Sequence, residues 1–248
     1  MKVPIKYNTF RHVILSRDAV FWLSCALVLL VNVVFLHSTG AGVFKLKKTS
    51  APVAAPTLVI DAGHGGIDGG AVSADGTKES DINLAIALRL DYIVRFCGHK
   101  TVMTRWDDSR KTDILSYSER EDLTERVKIA NSVDNAILIS IHQNYYPTAQ
   151  PSGAQVLYSA VAGSDILGRL LQTNLISQLD SANRRLAAPA PAELYVTTNA
   201  VCPSVLVECG FMSNNFEVLK LKESKYQTSI AVVIAGSYLQ FISGETNI

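Results

Sequence analysis

Ala136-Ile137-Leu138-Ile139-Ser140-Ile141-His142 is apolar at five of its first six positions and shows no alternation of polar with apolar residues. A strand with one solvated face alternates, whereas a strand buried on both faces does not. The run is also short for a helix and rich in β-branched residues. Thr57–Asp61 (TLVID) and Ser204–Cys209 (SVLVEC) read the same way. Between these strands the apolar residues fall at helical spacing. Asp81–Phe96 is one such helix, closed by Gly98. Ser118-Glu119-Arg120-Glu121 is a capping box that opens a second helix, running to about Asn131. Ile166–Leu179 and the stretch from Lys225 to Phe241 predict two more, and shorter strands are expected at Lys100–Arg105, Gly153–Ser159 and Glu193–Thr197. Near-continuous apolar strands separated by helices require cover on both sides. The expected fold is therefore α/β, with a mostly parallel central sheet flanked by helices on both faces.

Ahead of the first strand, residues 19–37 hold an apolar run, Ala19 to Leu36, just long enough to cross a bilayer as a helix. A cleavable signal has a shorter apolar core, about 7–15 residues, so the run reads as a transmembrane anchor. Cleavage near Gly40-Ala41-Gly42 is the alternative, and would make the domain secreted. Residues 1–18 carry Lys2, Lys6, Arg11 and Arg17, against Lys45, Lys47 and Lys48 after the run. The charge balance leans toward a short cytoplasmic N-terminus and a single-pass protein of the cell membrane, with its folded domain outside the cytoplasm. Residues 38–56 read as a linker, ending in Ala51-Pro52-Val53-Ala54-Ala55-Pro56, and residues 57–243 as one catalytic domain. A net charge of +1 offers nothing to nucleic acid. The four cysteines show no C-x-x-C spacing, so thiolate metal sites and thioredoxin-like chemistry are not expected; Cys202 and Cys209 read as buried apolar residues.

Three places are expensive to explain by packing. Asp61–Gly70 (DAGHGGIDGG) places five glycines in ten residues directly after the first strand. It fits neither the phosphate-binding G-x-x-x-x-G-K-[ST] pattern nor the dinucleotide G-x-G-x-x-G, where Asp68 takes the third glycine's place. What remains is an open loop that presents His64. His142 ends the AILISIH strand, and Glu208 interrupts the apolar strand near Cys209. A carboxylate there is costly to bury without a partner. Ligand sites of open α/β sheets gather at the carboxyl ends of strands, where all three residues fall. Two converging imidazoles point to a metal. Glu79, before the helix, is the best third ligand, although Asp68, Asp75 and Asp81 satisfy the spacing too. Two His and one Glu form the protein set of a catalytic zinc site with one open position. Glu208 is then the general base and acid. His99 reads as a turn residue, and His12 and His37 have no site around them.

These motifs resemble, in order and over about Thr57 to Phe241, the zinc-dependent N-acetylmuramoyl-L-alanine amidases of the amidase 3 type. IDAGHGGIDGGA resembles the family's opening motif and implies a zinc ligand at His64. TKESDINLAIALRL resembles the helix entry and selects Glu79 as ligand. SIHQN implies the ligand role for His142, and VLVECGFMSN implies the catalytic glutamate at Glu208. The resemblance implies a Zn2+ cofactor and peptidoglycan as substrate, cut between N-acetylmuramic acid and L-alanine, with Asn144 as a candidate substrate contact. The stretch from Pro147 to Glu193 leaves little room for the plugging helical insertion of many relatives. Small size, the anchor and the Tyr117–Leu123 segment resemble the sporulation and germination type, in which amidase action precedes muramic-δ-lactam formation. A vegetative wall-remodelling amidase and a catalytically silent wall-binding module are the alternatives. The sequence names no activating protein partner.

Overall fold

The computed structural model describes residues 55–108 and 118–245. Six strands form one sheet: β1 (Thr57–Ala62), β2 (Thr101–Met103), β3 (Ala136–Asn144), β4 (Gln155–Tyr158), β5 (Ala188–Pro189) and β6 (Ser204–Phe211). Their order is β2-β1-β3-β6-β4-β5. The β2, β1, β3 and β6 strands run parallel, as expected. β4 lies antiparallel to β6, and β5 runs parallel to β4, so the sheet is mixed rather than parallel throughout.

The helices are α1 (Glu79–Phe96), α2 (Glu119–Asn131), α3 (Ser164–Leu179), α4 (Tyr195–Asn199), α5 (Asn215–Lys222) and α6 (Ser224–Ser243). The side chain of Ser118 caps α2 by accepting the Glu121 N–H at 3.3 Å. Asn214 caps α5 by accepting from Phe216 and Glu217. That helix has no counterpart among the sequence expectations.

Alternate residues of each strand divide between two cores. Leu58 and Ile60 of β1, Ile137, Ile139 and Ile141 of β3, and Val205 and Val207 of β6 meet the larger core, covered by α1, α3 and α6. Val59 and Leu138 meet a smaller one with Ala130 of α2, Val196 of α4 and Ala200 just after it. Both faces are thus covered, and this is why the strands read as unbroken apolar runs. The second face changes character along its length. Apolar Val59 and Leu138 give way, toward the carboxyl ends, to Asp61, Ser140, His142 and Glu208. Polarity is concentrated where the strands stop.

One expected strand, Glu193–Thr197, is instead the start of α4. Its Tyr, Val and Thr favour a strand in isolation. The edge beside β6 is already taken by β4, and the smaller core needs an apolar pair. Val196 and Ala200, four residues apart, supply it from a helical turn, with Thr198 N–H donating to Leu194 O and Ala200 N–H to Val196 O. The outer strand is Ala188–Pro189, where a proline is tolerated. Cys202 and Cys209 are buried free thiols. No helix among the described residues is long and apolar enough to cross a membrane, and the apolar run at 19–36 lies outside those residues.

Ile139 is fully buried at the centre of the larger core. Ile139→Ala is expected to lower unfolding free energy by about 2–5 kcal/mol, seen as a fall in the urea midpoint at unchanged slope.

Candidate active site

The loop after β1 is folded in a way that alanine-like backbones resist. His64 itself has a left-handed φ of 59°, followed by Gly65 and Gly66 at 127° and 62°. Two other glycines leave room for side chains. A Cβ on Gly63 would lie 2.2 Å from the His142 ring, and one on Gly70 would lie 2.7 Å from both Glu79 Oε2 and the His64 ring. The loop's openness is therefore used inside the site, where it admits the His64, Glu79 and His142 side chains.

Glu79 stands at the first turn of α1, where the helix dipole favours a carboxylate. It is almost wholly buried, and its oxygens accept from the backbone N–H groups of Ala71 at 2.9 Å and Gln143 at 2.9 Å and from the Asn83 amide at 3.2 Å. Its Oε1 lies 3.1 Å from His142 Nδ1 and 3.4 Å from His64 Nε2. One donor atom from each of His64, Glu79 and His142 lies within 4.8 Å of the others. Zinc bonds of about 2.0–2.2 Å in a tetrahedron set neighbouring ligand atoms about 3.3–3.5 Å apart. The Glu79 oxygen stands close to such separations from one nitrogen of each imidazole, so the three side chains could hold such an ion. The opposite nitrogen of His64, Nδ1, pairs with Asp68 Oδ2 at 2.8 Å, which fixes the ring with Nε2 turned to the cluster.

Burial by itself would lower the pKa of both imidazoles. For His64 the Asp68 and Glu79 carboxylates outweigh it and push the pKa up to about 10. For His142 the Glu79 carboxylate likewise wins and raises it. Burial would raise Glu79, but hydrogen bonds from His142 and His64 hold it far below the usual carboxylate range. Glu208 is different. It pairs in register with His142 on the neighbouring strand, and burial lifts its pKa to about 7 against the pull of the His142 charge. Its Oε2 is sealed from solvent with no hydrogen-bond partner among the described residues. His64, Glu79, His142, Asn144 and Glu208 all line one cleft of about 300 Å³, whose far wall is α4 and the N-terminal end of α2. Arg120 of α2 stacks over the Tyr195 ring of α4 at 3.9 Å and joins those two walls.

A family model described as N-acetylmuramoyl-L-alanine amidase matches residues 58–238. The chain belongs to this family. It is 32% identical over 235 residues to the germination-specific N-acetylmuramoyl-L-alanine amidase of Bacillus subtilis, covering 92% of this chain and 97% of that one. Among solved structures, the CwlD amidase of Clostridioides difficile, in complex with the GerS lipoprotein, is 34% identical with a TM-score of 0.72, covering 76% of this chain and 99% of that one. The amidase AmiC2 of Nostoc punctiforme is 28% identical at a TM-score of 0.65, covering 76% of this chain and 97% of its own.

In this amidase the acidic neighbours of Glu79 have other occupations. Asp68 braces His64, Asp75 bonds Ser73, Thr77 and Lys222 in an exposed turn, and Asp81 is exposed on α1. Asn144 lies beside His142 on β3 with its side chain in the cleft. Several supporting residues went unread in the sequence. Arg105 donates to the carbonyls of Ala62, Gly63 and Ser80, and Arg126 to those of Ala62 and His64. Asp61 binds Arg126 at 2.6 Å and accepts from Thr104 and Ser140. The one available signal was Arg126 on a helix face otherwise occupied by Leu123, Val127 and Ala130.

A divalent metal ion competes with protons for His64 and His142. Because both pKa values are raised, affinity should climb with pH across about pH 6–8, with protons released on binding; calorimetry in buffers of different ionisation enthalpy reads both. Gly63→Ala, which drives His142 aside, should leave the purified protein with a small fraction of the wild-type metal content by atomic absorption.

Proposed function

We propose that this chain is a zinc-dependent N-acetylmuramoyl-L-alanine amidase that hydrolyses the amide joining N-acetylmuramic acid to the L-alanine of the stem peptide in peptidoglycan. The observation that carries the reading is the convergence of His64, Glu79 and His142, in one cleft, beside Glu208, whose buried Oε2 has no hydrogen-bond partner among the described residues. A zinc ion held by His64, Glu79 and His142 would supply a Lewis acid for the amide carbonyl and lower the pKa of water to about 7. Glu208 accepts a proton from the attacking water as hydroxide adds to the lactyl carbonyl carbon. When the C–N bond breaks, Glu208 returns that proton to the departing alanine nitrogen. A carboxyl pushed up to about 7 by burial suits both halves of the exchange. Asp68 keeps His64 oriented, Gln143 and Asn83 hold Glu79, and the Asn144 side chain offers the substrate a hydrogen bond from the cleft wall.

Similarity across 92% of this chain and 97% of the germination-specific Bacillus amidase supports work on spore cortex, ahead of muramic-δ-lactam formation. The lipoprotein bound to the Clostridioides neighbour supports a protein partner here as well. The apolar run at 19–36 supports attachment to the membrane, with the amidase domain on the wall side.

Incubation with muramyl peptides should release intact stem peptides carrying free L-alanine N-termini, by mass spectrometry, and a chelator should stop release. Products cut within the peptide would overturn the amide assignment, and an inert zinc-free protein would favour the silent wall-binding module. Glu208→Gln should retain zinc yet lose about 100- to 10,000-fold in kcat. Since Glu208 must be ionised to take the proton, kcat/KM should fall as pH drops below about 7, and a bound cation moves that limb lower still.

A further inference from the structure

We propose that Arg126 is a positioning residue for the metal, acting on His64 through the backbone. The inference rests on the zinc reading above. His64 is a non-glycine residue in the left-handed region, with φ 59°, a conformation that persists only where surroundings impose it. Its φ and ψ are the rotations between two peptide planes, Gly63–His64 and His64–Gly65. Each plane is held by a guanidinium. Arg105 Nη2 donates to Gly63 O at 3.1 Å, and Arg126 Nη2 donates to His64 O at 2.7 Å. Fixing both carbonyls fixes both torsions, and with them the direction in which the imidazole leaves the backbone.

Arg126 is itself over-determined. It is 4% exposed, and the remaining donors go to Asp61 at 2.6 Å, Ala62 O at 2.8 Å and Asp122 at 3.0 Å. Asp61 is in turn locked by Thr104 Oγ1 at 2.7 Å and Ser140 Oγ at 2.6 Å. Ser140 is two residues before His142 on β3, so one buried carboxylate ties the strand of the second imidazole to the loop of the first. Stability does not demand such a pair, because apolar replacements of buried ion pairs are often neutral or better. What an apolar residue cannot do is hold the His64 carbonyl. A lysine would keep the charge, but its single nitrogen with three donors cannot reach the four oxygens that the planar guanidinium holds.

The test uses the full chain in three forms: wild type, Arg126→Lys, and the double variant Asp61→Asn/Arg126→Met, which removes both charges together. Zinc affinity is measured by competition with a chromophoric chelator, and site geometry by the visible spectrum of the cobalt(II) form. Both variants should keep the wild-type circular dichroism spectrum, bind zinc about 10- to 100-fold more weakly and show an altered cobalt spectrum. Activity should recover most of the way when zinc is raised to saturation. A folded variant with wild-type zinc affinity overturns the proposal. So does loss of the fold in the double variant, because the pair would then be structural. If wild type binds no zinc, the reading of the site fails instead.

Discussion

The carboxylate of Glu79 is the point on which the site depends. It is the meeting place of three chain segments: the loop after β1 through His64 and Ala71 N–H, the start of α1 that carries it, and β3 through His142 and Gln143 N–H. A buried carboxylate is expensive, and this one is tolerated because every direction around it holds a donor or a positive charge. The cost of removing it would fall on all three segments at once. The contacts that gather the site are here the same ones that fold the segments around it.

Around that centre the sheet sorts chemistry by depth. Its second face is hydrocarbon where α2 and α4 press on Val59 and Leu138, and turns polar toward the carboxyl ends, at Asp61, Ser140, His142 and Glu208. Asp61, His142 and Glu208 share that face because they share strand parity, and the parallel register sets His142 beside Glu208. The result is one carboxyl, Glu208, whose proton affinity is raised by burial, a strand's width from another, Glu79, whose proton affinity is lowered by the imidazoles beside it. Two carboxyls whose proton affinities are pushed apart within one cleft are what acid–base chemistry requires.

Much of this was legible in the chain. AILISIH and TLVID announce two-sided burial because their apolar residues follow one another without alternating with polar ones, and His64, His142 and Glu208 stand out as the residues that packing alone does not explain. Glu79 was settled over Asp68, Asp75 and Asp81 by resemblance to the family, not by spacing. The antiparallel entry of β4 and the helical turn at Tyr195–Asn199 were not legible, since both depend on which sheet edge is already occupied, and the short α5 went unread. The two buried arginines escaped for another reason. Their partners are mainly backbone carbonyls, which every residue possesses and no sequence pattern marks.

Gly63 and Gly70 carry a consequence for how such a site can change over time. The volume that a methyl group would need at either position is already filled by His142, or by Glu79 and His64. A lineage cannot drift through alanine at these places and keep its ligands, nor enlarge a ligand and keep its glycines. Loss of function here is abrupt instead of gradual. Once His142 has gone the crowding at Gly63 goes with it, whereas the left-handed φ of 65° still favours glycine at position 70, and a return to activity would then need Gly63 and His142 to be restored together.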